Sequence, residues 1–215
     1  MAEKIFVSAI DTGVGKTIAS GLIAKKISEK GKKVITFKLV QTGCSGISED
    51  IIKHREIMEI PLTEDDLSGL TCPYVFKHPC SPHLAAKLEE QTIHENVITN
   101  AISELEKKYD FLIIEGVGGL FVPINESLNI IDFIKKNKYP LALITTTKLG
   151  SINHTLMSLE LLIRYNIPLK YLILNKYFCQ DKLISKDTET LFRDEIERKF
   201  PDTEFLVLEK MKLIF

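Results

Sequence analysis

An α/β fold, with a mostly parallel β-sheet and helices on both faces, is predicted by three features of the chain. Short runs rich in Ile, Leu, Val and Phe alternate with longer amphipathic stretches from one end to the other. The short runs are apolar almost throughout, as strands covered on both faces are. The first of them enters a glycine-bearing turn and then a helical pattern, the start of a βαβ unit. With 215 residues, 45% of them hydrophobic, the chain can bury one substantial core, and residues 1–215 are read as a single domain.

Residues 4–9 are short, apolar and β-branched, and form the first strand. Asp11-Thr12-Gly13-Val14-Gly15-Lys16-Thr17 follows. Gly13 and Gly15 allow backbone N–H groups to turn inward around phosphate oxygens, Lys16 can reach the β- and γ-phosphates, and the Thr17 hydroxyl can bind Mg²⁺. From Ile18 the apolar positions Leu22, Ile23 and Ile27 recur at helical spacing, so the loop sits on a helix N-terminus whose partial positive charge favours an anion. Ile10 stands where a standard phosphate loop opens with glycine. The helix is expected over residues 17–30, stopping at Gly31.

The next strand is expected over residues 33–40. A right-handed crossover brings its end to the same sheet edge as the phosphate loop. Lys38, inside an otherwise apolar strand and followed closely by Gln41-Thr42-Gly43, is therefore read as pointing at the phosphates. Residues 44–70 are polar and irregular, with a helix from about 48 to 59 that Ser48 or Asp50 can cap. Residues 72–83, rich in proline and aromatics, read as a long ordered loop before a short helix over 84–90.

A helix over 95–108 feeds a strand over 111–114 and then Glu115-Gly116-Val117-Gly118-Gly119. An acidic residue at the carboxyl end of a buried strand suits a second Mg²⁺ contact, and the glycines permit close approach of phosphate or substrate. A helix over 127–136 and a strand over 141–146 come next. Lys148-Leu149-Gly150 then opens a periodic helix from Ser151 whose N-terminus is a second anion site. A strand over 169–174 ends at Asn175, and a charged helix over 183–199 precedes a last strand over 204–208.

The formal net charge of -1 offers no electrostatic case for nucleic acid or an anionic membrane. The apolar runs are shorter than a bilayer span, no signal-peptide pattern precedes the first strand, and a cytoplasmic location is expected. Cys44, Cys72, Cys80 and Cys179 are scattered and read as reduced thiols, and no histidine or cysteine spacing suits zinc.

Residues 11–17 and the run Lys38-Leu39-Val40-Gln41-Thr42-Gly43 together resemble the dethiobiotin synthetases. Pro73-Tyr74 with Ser81-Pro82-His83, Glu115 to Gly119, Lys148-Leu149-Gly150 with Ile152-Asn153-His154, and Asn175 carry the resemblance on, over roughly residues 5–175. It implies a Rossmann-like three-layer fold of the P-loop NTPase kind. It also implies ATP- and Mg²⁺-dependent closure of a cyclic urea on 7,8-diaminononanoate with CO₂ or bicarbonate. Thr12, Gly13, Val14, Gly15, Lys16, Thr17, Ile18 and Asn175 would bind the nucleotide, and Thr17, Asp50 and Glu115 would hold Mg²⁺. Lys16 and Lys38 would be the catalytic cations, and Thr12, Lys38, Thr42 and Gly118 would touch the substrate. Gly150, Ser151, Ile152 and Asn153 would complete that pocket from the second subunit of a homodimer.

The chain departs from the family's pattern at Ala9, usually Gly, and at Leu39, usually Pro. Its last strand is followed by neither the Gly nor the Pro that usually flank the base, so a base pocket open on one side is expected. The alternative is a nucleotide switch resembling division-site or partition ATPases. Those carry a lysine near the start of the loop, where this chain has Ala9, Ile10 and Asp11, and a basic amphipathic tail that this chain lacks.

Overall fold

In a computed structural model describing residues 2–179 and 181–214, the chain runs β1 (Glu3–Ala9), α1 (Lys16–Glu29), β2 (Val34–Lys38), β3 (Gln41–Thr42) and α2 (Glu49–Met58). It continues through α3 (Glu64–Leu67), β4 (Val75–Phe76), α4 (Pro82–Leu88), α5 (Glu95–Leu105), β5 (Phe111–Glu115), α6 (Ile130–Asn137) and β6 (Leu141–Thr146). The last part is α7 (Ser151–Tyr165), β7 (Leu169–Asn175), a 3₁₀ turn (Lys176–Phe178), α8 (Lys182–Lys199), β8 (Glu204–Glu209) and β9 (Lys212–Ile214).

Seven strands form the main sheet in the order β2-β5-β1-β6-β7-β8-β9, parallel except for the β8–β9 hairpin. Successive side chains of one strand bury on opposite faces, which is why the strands read as continuous apolar runs. Ile5 and Val7 of β1 pack with Ala19, Ile23 and Ala24 of α1 and Met58 of α2, while Phe6 packs with the cluster containing Ile102, Phe133, Leu159 and Phe192 of α5 to α8. Helices thus cover both faces, as expected.

The boundaries shift where local chemistry outweighs periodicity. β2 stops at Lys38 rather than residue 40, because Gln41 and Thr42 leave to pair with Val75 and Phe76 of the proline-rich loop. α6 begins at Ile130 rather than 127, because Asn129 caps it by accepting a hydrogen bond from the Asp132 N–H at 2.9 Å. Strand β9 is unforeseen. Lys210 and Met211 take positive φ angles of 45° and 62° and turn the chain back in a two-residue hairpin. All four cysteines are free thiols, and among the described residues no helix is long and apolar enough to cross a membrane.

Beneath α2 lies an ion pair that ties the α2–α3 segment to the sheet. Arg55 reaches Asp66 through Nε and Nη2, each at 2.8 Å, and its Nη1 reaches Oγ1 of Thr36 on β2 at 2.7 Å. Asp66 accepts further bonds from the Thr63 N–H and from the hydroxyls of Thr63 and Thr71. Burial alone would raise the Asp66 pKa, but Arg55 and these donors hold it below the ordinary 3.8. A carboxyl with a depressed folded-state pKa stabilises fully above its unfolded value and ceases to do so as pH falls through the folded one. Asp66→Asn, which strands a buried guanidinium, is expected to cost about 3 to 5 kcal/mol at neutral pH. Urea unfolding at pH 7 and at pH 3 should show the wild type losing ground to the variant at the lower pH; an equal gap at both would remove the pair from the account.

Candidate active site

The loop after β1 lines a cleft at the carboxyl edge of the sheet. The Asp11 carboxylate accepts from the Thr12 N–H at 2.7 Å, and Lys16 Nζ folds back to donate to the Asp11 carbonyl at 3.0 Å. Burial, then the neighbouring Lys38 ammonium, push the Lys16 pKa down to about 8. Gly15 caps α1 with φ at 107°. A Cβ there would stand 2.6 Å from Nδ2 of Asn175, which itself donates to the Val14 carbonyl at 2.9 Å. Gly15 is therefore required twice, by its left-handed backbone and by the close approach of the β7 end.

Lys38 and Glu115 are directly opposite in the parallel pairing of β2 with β5. Lys38 Nζ lies 2.6 Å from Asp50 Oδ2 and 2.8 Å from Glu115 Oε1, and donates to the Gly116 carbonyl at 3.1 Å. Burial opposes its charge, but the two carboxylates outweigh burial and hold the ammonium above the ordinary lysine value. Burial likewise opposes the charge of Glu115, yet Lys38 and His54 hold its carboxyl well below the usual range. The expected direction of Lys38 is thus refined: its ammonium is anchored on the acidic pair. Thr17 Oγ1 lies 2.9 Å from Asp50 Oδ1 and 3.1 Å from Glu115 Oε1, so three hard oxygen donors converge.

A cleft of about 730 Å³ joins Thr12, Gly13, Gly15, Lys16, Thr17, Ile18, Lys38, Thr42, Asp50, Glu115 and Gly118. Gly118 takes φ at 59°, and its neighbour Gly116 makes room for the Phe6 ring, so that glycine serves packing rather than substrate approach. A second cleft of about 970 Å³ shares Gly13, Gly15 and Ile18 with the first and runs past Asn175, Tyr177, Phe178, Ser185 and Leu208. Glu209, Lys210 and Met211 of the β8–β9 hairpin line it too. Gly150, Ser151, Ile152 and Asn153 begin α7 and line neither cleft of their own chain. Sequence reading overlooked His54, fully buried with Nε2 2.7 Å from Glu115 Oε2. Its signal was present: His54 falls four residues after Asp50, on the same face of α2.

The family profile described as AAA domain matches residues 3–208. The ATP-dependent dethiobiotin synthetase of Haemophilus ducreyi is 48% identical over 98% of this chain and all of its own length. The corresponding protein of Chlorobaculum tepidum is 45% identical over 91% of this chain and 82% of its own. The chain belongs to the dethiobiotin synthetase family. A solved structure of the signal recognition particle receptor FtsY from Elizabethkingia anophelis, with GDP, aligns over the whole chain at a TM-score of 0.58 and 14% identity. This chain spans 60% of that receptor, and the likeness is one of fold alone.

The two clefts adjoin at the loop after β1. The shared Gly13-Gly15-Ile18 wall is where they meet. Gly15→Ala, which strains the backbone by about 1 to 3 kcal/mol and pushes Asn175 aside, should weaken ATP binding about tenfold or more. Calorimetric titration of the folded variant with ATP checks this, and unchanged affinity would show that the loop tolerates a Cβ.

Proposed function

We propose that the two clefts form one active site in a single domain spanning residues 1–215, in which ATP lies over the loop with its base towards Tyr177 and Phe178 and the diamine lies beside Lys38. The reaction is the ATP-dependent closure of 7,8-diaminononanoate and CO₂ to dethiobiotin, ADP and phosphate. The observation that carries the site assignment is the convergence of Thr17, Asp50, Glu115, Lys16 and Lys38 in one cleft over the loop.

One amine of the substrate takes up CO₂ to become a carbamate, an anion that falls apart readily in water. Lys38, within reach of substrate at the cleft wall, offsets the carbamate charge, while Lys16 faces the phosphates. The carbamate oxygen attacks the γ-phosphorus, ADP leaves, and the second amine then attacks the mixed anhydride carbon and expels phosphate. No protein nucleophile is required. Thr12, Thr42 and Gly118 hold the diamine so that ring closure is unimolecular, a gain of up to about 7 to 11 kcal/mol. Gly13, Val14, Gly15, Ile18 and Asn175 hold the nucleotide in this reading.

Thr17, Asp50 and Glu115 fit Mg²⁺: their oxygens are separated by 2.9 and 3.1 Å, close to the about 2.9 Å expected between neighbouring ligands of an octahedron with 2.0 to 2.1 Å bonds. When bound, the ion neutralises phosphate charge during transfer. Asp50 and Glu115 are already oriented by Lys38, so little reorganisation is needed.

The reading includes a homodimer in which Gly150, Ser151, Ile152 and Asn153 of one protomer bind the substrate carboxylate in the other's cleft, at the N-terminal end of α7. Support comes from the apolar surface around α7, where Leu149, Met157, Ile163 and Phe121 are exposed.

Phosphate release from ATP with Mg²⁺ and bicarbonate should depend on added diamine and be matched by dethiobiotin in the mass spectrum. Release indifferent to the diamine, with no product, would reject the activity. Mixing Lys16→Ala chains with Asn153→Asp chains should restore about a quarter of wild-type turnover, since half of randomly paired dimers would hold one intact composite site. Failure of a confirmed heterodimer to recover any turnover would reject the shared site.

A further inference from the structure

Two buried side chains of α2 take no part in the reaction as derived above. His54 is fully buried and Arg55 is 2% exposed, and Thr36 of β2 stands between them. Arg55 Nη1 donates to Thr36 Oγ1 at 2.7 Å, and the same oxygen is 3.0 Å from His54 Nδ1. The far nitrogen of the ring, Nε2, is 2.7 Å from Glu115 Oε2.

A guanidinium only donates, so the direction of the first bond is certain. Thr36 then has one proton of its own to place, and Nδ1 of His54 is the acceptor in front of it. A carboxylate oxygen only accepts, so the ring carries a proton on Nε2 and donates it to Glu115 Oε2. That occupies one oxygen of the carboxylate and leaves the other, Oε1, to Thr17 and Lys38. Asp66, which clamps Arg55 with two bonds of 2.8 Å, fixes the start of this chain.

We infer that His54 is a positioning residue for Glu115, with Thr36 and Arg55 setting its tautomer so that the carboxylate presents Oε1 to the metal. The inference rests on the reading of Glu115 as a metal ligand. Without the His54 donor, Oε2 is a buried acceptor with no partner, and Lys38 can draw both oxygens towards itself and away from the metal position. Asp50 lies on the same helix, so α2 supplies one ligand directly and orients the other through His54.

The test uses the full chain with a non-hydrolysable ATP analogue and Mn²⁺ as the probe, free Mn²⁺ being read by electron paramagnetic resonance. His54→Leu is expected to weaken Mn²⁺ binding about 10- to 100-fold, in the range usual for outer-shell partners. His54→Gln, whose amide nitrogen falls near the place of Nε2, should recover most of the loss. His54→Asn keeps a partner at Thr36 but falls short of Glu115, and should behave like His54→Leu. Thermal unfolding of each variant separates misfolding from lost metal affinity, and the Gln and Asn variants decide the matter if His54→Leu does not fold. Glu115→Gln is the control. If Glu115→Gln weakens Mn²⁺ while His54→Leu leaves it unchanged, or if Asn binds as tightly as Gln, positioning by His54 is overturned and Glu115 stands. If Glu115→Gln itself leaves Mn²⁺ unchanged, Glu115 is not a ligand and both fall.

Discussion

Lys38 and Glu115 face each other across the parallel pairing of β2 with β5, and the charge balance of the whole cleft depends on that register. A slip of one residue in either strand would turn its side chain to the opposite face of the sheet and part the pair. Each ion is costly to bury alone, and the site answers that cost by pairing them. Lys16 and Lys38 stand against Asp50 and Glu115, two cations with two anions, so the formal charge is balanced before nucleotide arrives. Lys38 orients both carboxylates, and those carboxylates in turn keep it charged in a place where burial favours the neutral amine.

The position of the site follows from topology. β1 lies between β5 and β6, so the chain crosses from one side of β1 to the other at the carboxyl edge and leaves a crevice there. The phosphate loop fills the crevice, with the acidic pair on the β2–β5 side and Asn175 on the β7 side. The loop thus stands between two clefts that differ in character, one charged and one lined by Tyr177, Phe178 and Leu208.

Much of this was legible in the chain itself. Parallel strands buried on both faces give continuous apolar runs, and a charged residue at the end of such a run has few places to be other than a site; Lys38 and Glu115 were found on that ground. Thr12 to Ile18 were legible because turn, phosphate contact and helix start occupy consecutive residues. His54 was not singled out: its spacing of four from Asp50 is visible in the sequence, but only the neighbours across the sheet show that it reaches Glu115. The β3–β4 pairing was invisible for a related reason: two-residue strands carry no periodicity, and their partners are over thirty residues apart.

The amino-acid sequence alone determined the layered α/β architecture, the phosphate loop, the family and most of the residues of the cleft. Each of these is written in local patterns, namely the period of apolar residues, the glycines of one turn, and charges at strand ends. Tertiary structure decided what depends on distance between remote segments. It set Lys38 against Asp50 and Glu115, ran a hydrogen-bonded chain from Asp66 through Arg55, Thr36 and His54 to Glu115, and placed the Lys210–Met211 turn along the second cleft. Those contacts join residues from different strands and helices, and packing alone brings them within bonding distance.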